Sequence, residues 1–161
     1  MTNTTEHISV MRDRCVDLLS PAIVGSSHPV IVDATLGLGG HTEALLQKFS
    51  HLTVIGIDRD LDAIAKATER LAPFADRFKT AHSTFDGIAD VVAGFGYKNI
   101  DGALFDLGVS SMQLDQVERG FSYSQDAPLD MRMDRTQSLT AGEIVNSYEP
   151  GQLVRILRTY G

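Results

Sequence analysis

The stretch Val-Ile-Val-Asp-Ala-Thr-Leu-Gly-Leu-Gly-Gly-His, residues 30–41, carries the densest chemical signal in the chain. An apolar run ends in an acid, Asp33, and enters a turn with glycines at 37, 39 and 40. Glycines let a backbone take angles that a Cβ forbids and let a ligand approach closely. Three nucleotide-type ligands compete for such a turn. A phosphate loop needs Gly-x-x-x-x-Gly-Lys-Ser/Thr, and this turn has no lysine. The dinucleotide fingerprint Gly-x-Gly-x-x-Gly begins at Gly37 and Gly39 but meets Thr42 where its third glycine belongs. The remaining candidate is S-adenosylmethionine, whose sites in such folds pair a glycine turn with an acid at the end of the first strand, here Asp33. Its sulfonium and ammonium charges suit acidic surroundings.

Three further residues stand where a ligand would need them. Asp58, about 20 residues past the glycines, can accept hydrogen bonds from both hydroxyls of a ribose, an arrangement that NAD shares; alternatively Asp58 and Asp60 cap the following helix. Phe85 is placed to cover an adenine face or to join the core. Asp106 closes Phe-Asp-Leu-Gly-Val-Ser-Ser, where amino methyltransferases often carry an acid or amide followed by Pro-Pro-aromatic; Leu-Gly-Val departs from that. Methylating an exocyclic amine is an in-line displacement, in which positioning supplies on the order of 7–11 kcal/mol at best. A carboxylate accepting the amine hydrogens raises the nitrogen's nucleophilicity. Asp106 fits that role, a cofactor contact, or a loop cap.

The elements that must hold these residues alternate. An amphipathic helix is predicted from about Ile8 to Ile23, interrupted near its end by Pro21, with Met11, Cys15, Leu18 and Leu19 on one packed face. Buried strands follow at Pro29–Thr35 and Leu52–Asp58, a third at Phe78–Ala81 and a fourth at Asp101–Leu107. Between them lie helices at Thr42–Phe49, after Asp60 with apolar face Ala63, Ile64, Ala67 and Leu71, and across Ile88, Val91, Val92 and Phe95, closed by Gly96. Such alternation predicts a parallel sheet with helices on both faces and ligands beyond the carboxyl ends of the strands. Past Leu107 the pattern changes. Leu129, Met131 and Met133 alternate with charged residues as an extended segment would. Thr140 and Glu143 make a capping box, with Leu139 and Ile144 as a staple. Glu149-Pro150-Gly151 reads as a turn before a second helix beginning with Leu153, Ile156, Leu157 and Tyr160.

Composition bounds the rest. The 161 residues are 43% hydrophobic and 22% charged, as in ordinary soluble globular chains. Fourteen Lys plus Arg against 21 Asp plus Glu give −7, a weak match to a phosphate-gripping surface. Cys15 alone excludes an internal disulfide, and His7, His28, His41, His51 and His82 lack the paired spacing of a zinc site. No apolar run approaches the ~18 residues of a membrane span. A polar start without signal character points to the cytoplasm.

Taken together, Asp33–Thr42, Gly56–Asp60, Phe105–Asp115 and Arg119–Asp134 give the chain a resemblance to the bacterial ribosomal RNA small-subunit methyltransferase H family, also called MraW. The likeness spans essentially the whole chain but only the amino-terminal half of the family. Ser9 replaces a proline of its opening pattern, and Thr42 a common serine. The resemblance implies a Rossmann-like class I S-adenosylmethionine-dependent methyltransferase, with the first four strands of its α/β sheet at 1–109. It also implies the start of an inserted helical substrate-recognition domain at 110–161. The implied activity is N4-methylation of a cytosine in the decoding centre of 16S rRNA, with the small ribosomal subunit as partner and neither DNA nor membrane involved. The implied cofactor residues are Gly39, Gly40, His41, Asp58, Phe85, Asp106 and Gln113, with Asp106 also the hypothesised amine acceptor.

Arg119, Arg132 and Arg135, set among Asp126, Asp130 and Asp134, read first as structural ion pairs. A sheet of about seven strands is expected for the whole family, so the chain reads as an amino-terminal fragment of reduced stability and little activity alone. A DNA or small-molecule amino methyltransferase, or a non-catalytic cofactor-binding module, are the competing functions.

Overall fold

A computed structural model describes residues 9–161. The predicted start of the first helix at Ile8, and His7 before it, lie outside the described residues. The chain divides into two compact units between Leu107 and Gly108.

The first unit is a four-stranded parallel sheet in the order β3-β2-β1-β4, formed by β1 (Val30–Asp33), β2 (Thr53–Asp58), β3 (Phe78–His82) and β4 (Gly102–Leu104). Every residue of β1 is buried, as expected for a central strand covered on both faces. Its register pairs Asp33 with Gly56 on one side and Leu104 on the other. Side chains then alternate between two cores. Ile31 and Val54 face α1 (Arg12–Gly25), α2 (Gly40–Lys48) and α3 (Leu61–Arg70) through Val16, Ile23, Leu45, Leu46, Ala67 and Leu71. Val30, Val32, Ile55 and Ile57 face Val92 of α4 (Ile88–Gly94). The predicted strands and helices are therefore present, and Asp60 caps α3 by accepting from the Asp62 N–H.

Three details differ from expectation. Pro21 lies inside α1 without ending it, because both it and Asp17, whose carbonyl loses its donor, face solvent. The buried face of α1 is Val16 and Ile23, with Leu19 against them, whereas Met11 and Leu18 are exposed and Cys15 is half-buried. β4 stops at Leu104 because that residue pairs with the last residue of β1, leaving Phe105–Leu107 no strand to follow.

The second unit begins with α5 (Ser111–Asp115), followed by a tight turn at Val117–Arg119 that closes on Gly120 in the left-handed region. Further on come α6 (Ala141–Ser147) and α7 (Pro150–Tyr160). The Thr140–Glu143 capping box forms as predicted. Pro150 and Gly151 do not form a separate turn. Glu149 caps α7 and Pro150 occupies its first turn, where a missing N–H costs nothing. Nor is Leu129–Met133 an extended strand. Met131 has φ 57°, and its N–H bonds the Arg119 carbonyl at 2.9 Å, which breaks the alternation. Among the described residues no helix is long and apolar enough to cross a membrane.

Candidate functional site

The glycine turn stands at the carboxyl end of the sheet, tied on both sides. On the β2 side, the Gly37 N–H donates to Asp58 Oδ2 at 2.8 Å, and the other oxygen of Asp58 accepts from the Asp60 N–H at 2.9 Å. On the β4 side, the Asp106 N–H donates to Thr35 Oγ1 at 2.7 Å, and the Ala34 N–H to the Leu104 carbonyl at 2.9 Å. The turn is thus strung between the chain segments that carry the two candidate carboxylates. Each oxygen of Asp58 retains acceptor capacity, since a carboxylate offers about four lone-pair sites.

A side chain is costly at one position in this turn and must displace a neighbour at another. Gly39, the residue before α2, has φ 77°, and a Cβ there would stand 2.9 Å from Leu71 Cδ1. A Cβ on Gly40 would collide with the Ser9 hydroxyl. The backbone here is packed to the limit from below, and Gly37 and Gly40 themselves remain partly accessible.

Asp33 turns inward. It is 1% exposed, accepts from Thr42 Oγ1 at 2.7 Å and, more loosely, from the Thr35 N–H at 3.4 Å. Burial pushes its carboxyl above the ordinary value, a shift that the Thr42 hydroxyl opposes. The acid expected to face a cationic ligand is therefore a strut of the turn. The same bond explains the missing third glycine: position 42 must supply a hydroxyl to a buried carboxylate, which glycine cannot do.

His41 is buried in the first turn of α2, with Nε2 3.1 Å from the Val10 carbonyl. A carbonyl only accepts, so Nε2 is the donor and carries a proton. Phe85 opens a short helical turn after β3 and is half exposed; it packs edge to face on Phe105, centroids 6.1 Å apart at 79°. Asp106 is exposed just past β4. The structure thus places Gly39, Gly40, His41, Asp58, Phe85 and Asp106 in the first unit, on or just after the strands' carboxyl ends. Gln113 belongs to the second unit. It is buried and forms the capping box of α5, accepting from the Ser110 N–H at 3.0 Å while its own N–H bonds Ser110 Oγ at 3.3 Å. Among the described residues no group of His, Cys, Asp or Glu is arranged to hold a metal ion.

Of the second unit's arginines, Arg132 makes the predicted ion pair. It grips Asp130 through Nε at 2.9 Å and a terminal nitrogen at 2.7 Å, and holds that carboxyl down at about 2. Arg119 also binds backbone. It is 1% exposed and donates to the Arg132 and Met133 carbonyls at 3.1 and 3.2 Å, with its guanidinium 5.8 Å from the Phe121 ring. Sequence reading also missed Phe105 and the hydroxyls of Thr35 and Thr42. Thr42 alone left a signal, by standing where a glycine was due.

Comparison with known proteins places this geometry. The chain matches the MraW methylase family over residues 4–161. It is 52% identical to the ribosomal RNA small subunit methyltransferase H of Streptomyces avermitilis, across 98% of the chain and 49% of that protein. It is 57% identical to the protein of that name in Mycolicibacterium smegmatis, across 96% of the chain and 43% of that protein. The chain spans about half the length of these relatives. A crystal structure from Clostridium thermocellum, described as a candidate rRNA methylase, superposes with a TM-score of 0.50 at 22% identity. That match covers 63% of this chain and 53% of the other. The shared architecture is the parallel sheet flanked by helices that the alternating elements predicted, in agreement with the Rossmann-like class I fold that the family resemblance implied. By the extent of the family match and the identity of these relatives, the chain belongs to the MraW methylase family.

Proposed function

We propose that this chain is the cofactor-binding portion of an enzyme that methylates N4 of a cytosine in the decoding centre of 16S rRNA, using S-adenosyl-L-methionine. Its partner in this reading is the small ribosomal subunit, and its compartment the cytoplasm; neither DNA nor a membrane is its target. The observation that carries the reading is the glycine turn strung between Asp58 and Asp106 in a member of this family.

The residues present fit the cofactor. Gly39, with φ 77° and Leu71 against its would-be Cβ, leaves no room for a side chain beneath the turn, while Asp58 keeps acceptor capacity for two ribose hydroxyls. Phe85 offers an aromatic face for adenine, and His41 Nε2 is engaged by the Val10 carbonyl, which leaves Nδ1 for a ligand. Asp106 serves the methionine end, and the family resemblance adds Gln113, which its own unit holds in the α5 capping box. The cofactor supplies an electrophilic methyl carbon.

The chain's own contribution is to orient and to handle a proton. An exocyclic amine conjugated with its ring is a poor nucleophile until its hydrogens are held in the right direction. The exposed Asp106 carboxylate accepts them, aims the nitrogen and would take up the proton the amine loses when its N–C bond replaces the methyl's bond to sulfur. Residues 110–161 serve as the start of a helical region that presents the RNA, from whose stack the cytosine must be splayed.

The test is methyl transfer from labelled cofactor to small subunits lacking the mark. The Asp106→Asn variant is expected to lose about 10²-fold or more in turnover while cofactor affinity changes far less. Equal losses in both would make Asp106 a cofactor ligand only. Label appearing on DNA or a small amine instead of the subunit would overturn the substrate assignment.

A further inference from the structure

We propose that Phe105 is a positioning residue for the adenine of the cofactor, acting through Phe85; this rests on the cofactor reading above. In the first unit Phe49 and Phe78 are hidden at 8% and 9% exposure, Phe74 is partly buried and Phe95 stands at 37%, while Phe85 and Phe105 are the most exposed at 49% and 47%. Half-exposed rings are common singly. These two are in contact, and they arrive from opposite edges of the sheet, Phe85 after β3 and Phe105 after β4. They can meet only across the carboxyl ends of β2 and β1, where the glycine turn stands.

Their geometry leaves a surface to spare. At 79° between ring planes, the edge of one ring meets the face of the other, so at most one of the four ring faces is used. A flat heteroaromatic ring is the ligand chemistry that a free phenyl face takes. The two partners are not held alike. Phe105 is flanked by two hydrogen bonds to the turn, Ala34 N–H to the Leu104 carbonyl and Asp106 N–H to Thr35 Oγ1. Phe85 sits in a helical turn closed by the Gly87 N–H on the Thr84 carbonyl and the Ile88 N–H on its own carbonyl, running directly into α4. Phe105 meets it from a segment pinned to the glycine turn, and Phe85 presents to adenine the orientation that this contact allows.

The experiment is a double-mutant cycle read as calorimetric affinity for S-adenosylhomocysteine. Phe105→Leu is expected to weaken binding roughly three- to tenfold, the range of an aromatic pair. Phe105→Tyr, whose hydroxyl can reach water, restores it. In a Phe85→Leu background, Phe105→Leu adds nothing further. A neutral Phe105→Leu in a protein that binds normally, or losses that simply add in the double variant, overturns the assignment. The chain has no tryptophan, so Phe105→Trp installs a single tryptophan whose emission can be excited apart from the tyrosines. Its emission should change on titration with adenosine, and an unchanged emission counts against the proposal even where the leucine variant fails to fold. Failure of the unaltered protein to bind S-adenosylhomocysteine would instead overturn the cofactor reading itself.

Discussion

Up to Leu107 most of the deeply buried side chains are apolar, with Ile23, Ile31, Leu52, Ile55 and Leu71 at 0% exposure beside the polar Thr42 and Asp33; from Gly108 onward the side chain buried to that degree is Arg119, at 1%. The first region is stabilised by area removed from water, which is non-directional and tolerant of detail. The second is laced by directional bonds. Arg119 holds the Arg132 and Met133 carbonyls, Arg132 holds Asp130, and the Ala141 and Gly142 N–H groups bond the Asp130 and Leu129 carbonyls. A hydrophobic layer loses stability in proportion to what is cut away, whereas a polar lattice depends on single atoms, because an unmatched buried donor or acceptor bears its full desolvation cost.

The largest test of that contrast is Arg119→Met, which keeps the stem and removes the donors. With two charge-assisted bonds gone, a loss of about 3 kcal/mol is expected, read by hydrogen exchange as lost protection within residues 108–161 and unchanged protection in the sheet. Uniform loss throughout the chain would show the lattice to be no separate unit of stability. The first region has places that behave like the second, such as Arg77 on the Leu46, Phe49 and Leu52 carbonyls and, most deeply buried, the Asp33–Thr42 bond. Thr42→Val should lower stability by about 2 kcal/mol in thermal unfolding, and Thr42→Ser should retain most of it. A silent valine would mean that the turn does not rest on this bond.

The smallest effect is one of pH, and its sign differs between the regions. Asp33 is raised by burial, so ionising it works against the folded state, a cost relieved as pH falls through its raised value. Asp130 is lowered to about 2 from an ordinary 3.8 by the Arg132 hydrogen bonds. Its stabilisation is present above the ordinary value and is lost as pH falls from about 4 toward 2. Asp130→Asn should flatten that acid limb, measured as the unfolding midpoint of probes confined to residues 108–161. An unaltered limb would assign the acid sensitivity elsewhere.

The same division explains what the sequence made legible. Parallel strands buried on both faces read as unbroken apolar runs, so Val30–Asp33 and Thr53–Asp58 were visible from residue type alone. Local hydrogen-bonding rules were visible too, as at Asp60 and in the Thr140–Glu143 box. Features that depend on a distant partner were not. The inward face of α1 is set by where the sheet lies, which displaced Met11 and Leu18 in favour of Val16 and Ile23. Nothing adjacent to Arg119 announces that its guanidinium will meet carbonyls 13 and 14 residues away. Phe105 gained meaning only once the sheet order brought it to Phe85. In the site, residue types and spacing pointed to Asp58, Phe85 and Asp106, and the family resemblance added His41 and Gln113. The inward turn of Asp33 needed the fold.

The central claim, that the glycine turn and Asp58 form a cofactor site, is tested most directly by calorimetric titration of S-adenosyl-L-methionine into the unaltered protein and its Asp58→Ala variant. The account predicts one site per chain in the former. In the latter it predicts an affinity loss of about tenfold or more, as bonds to an ionised acceptor are removed. Equal binding by both proteins, or none by the unaltered one, would contradict it.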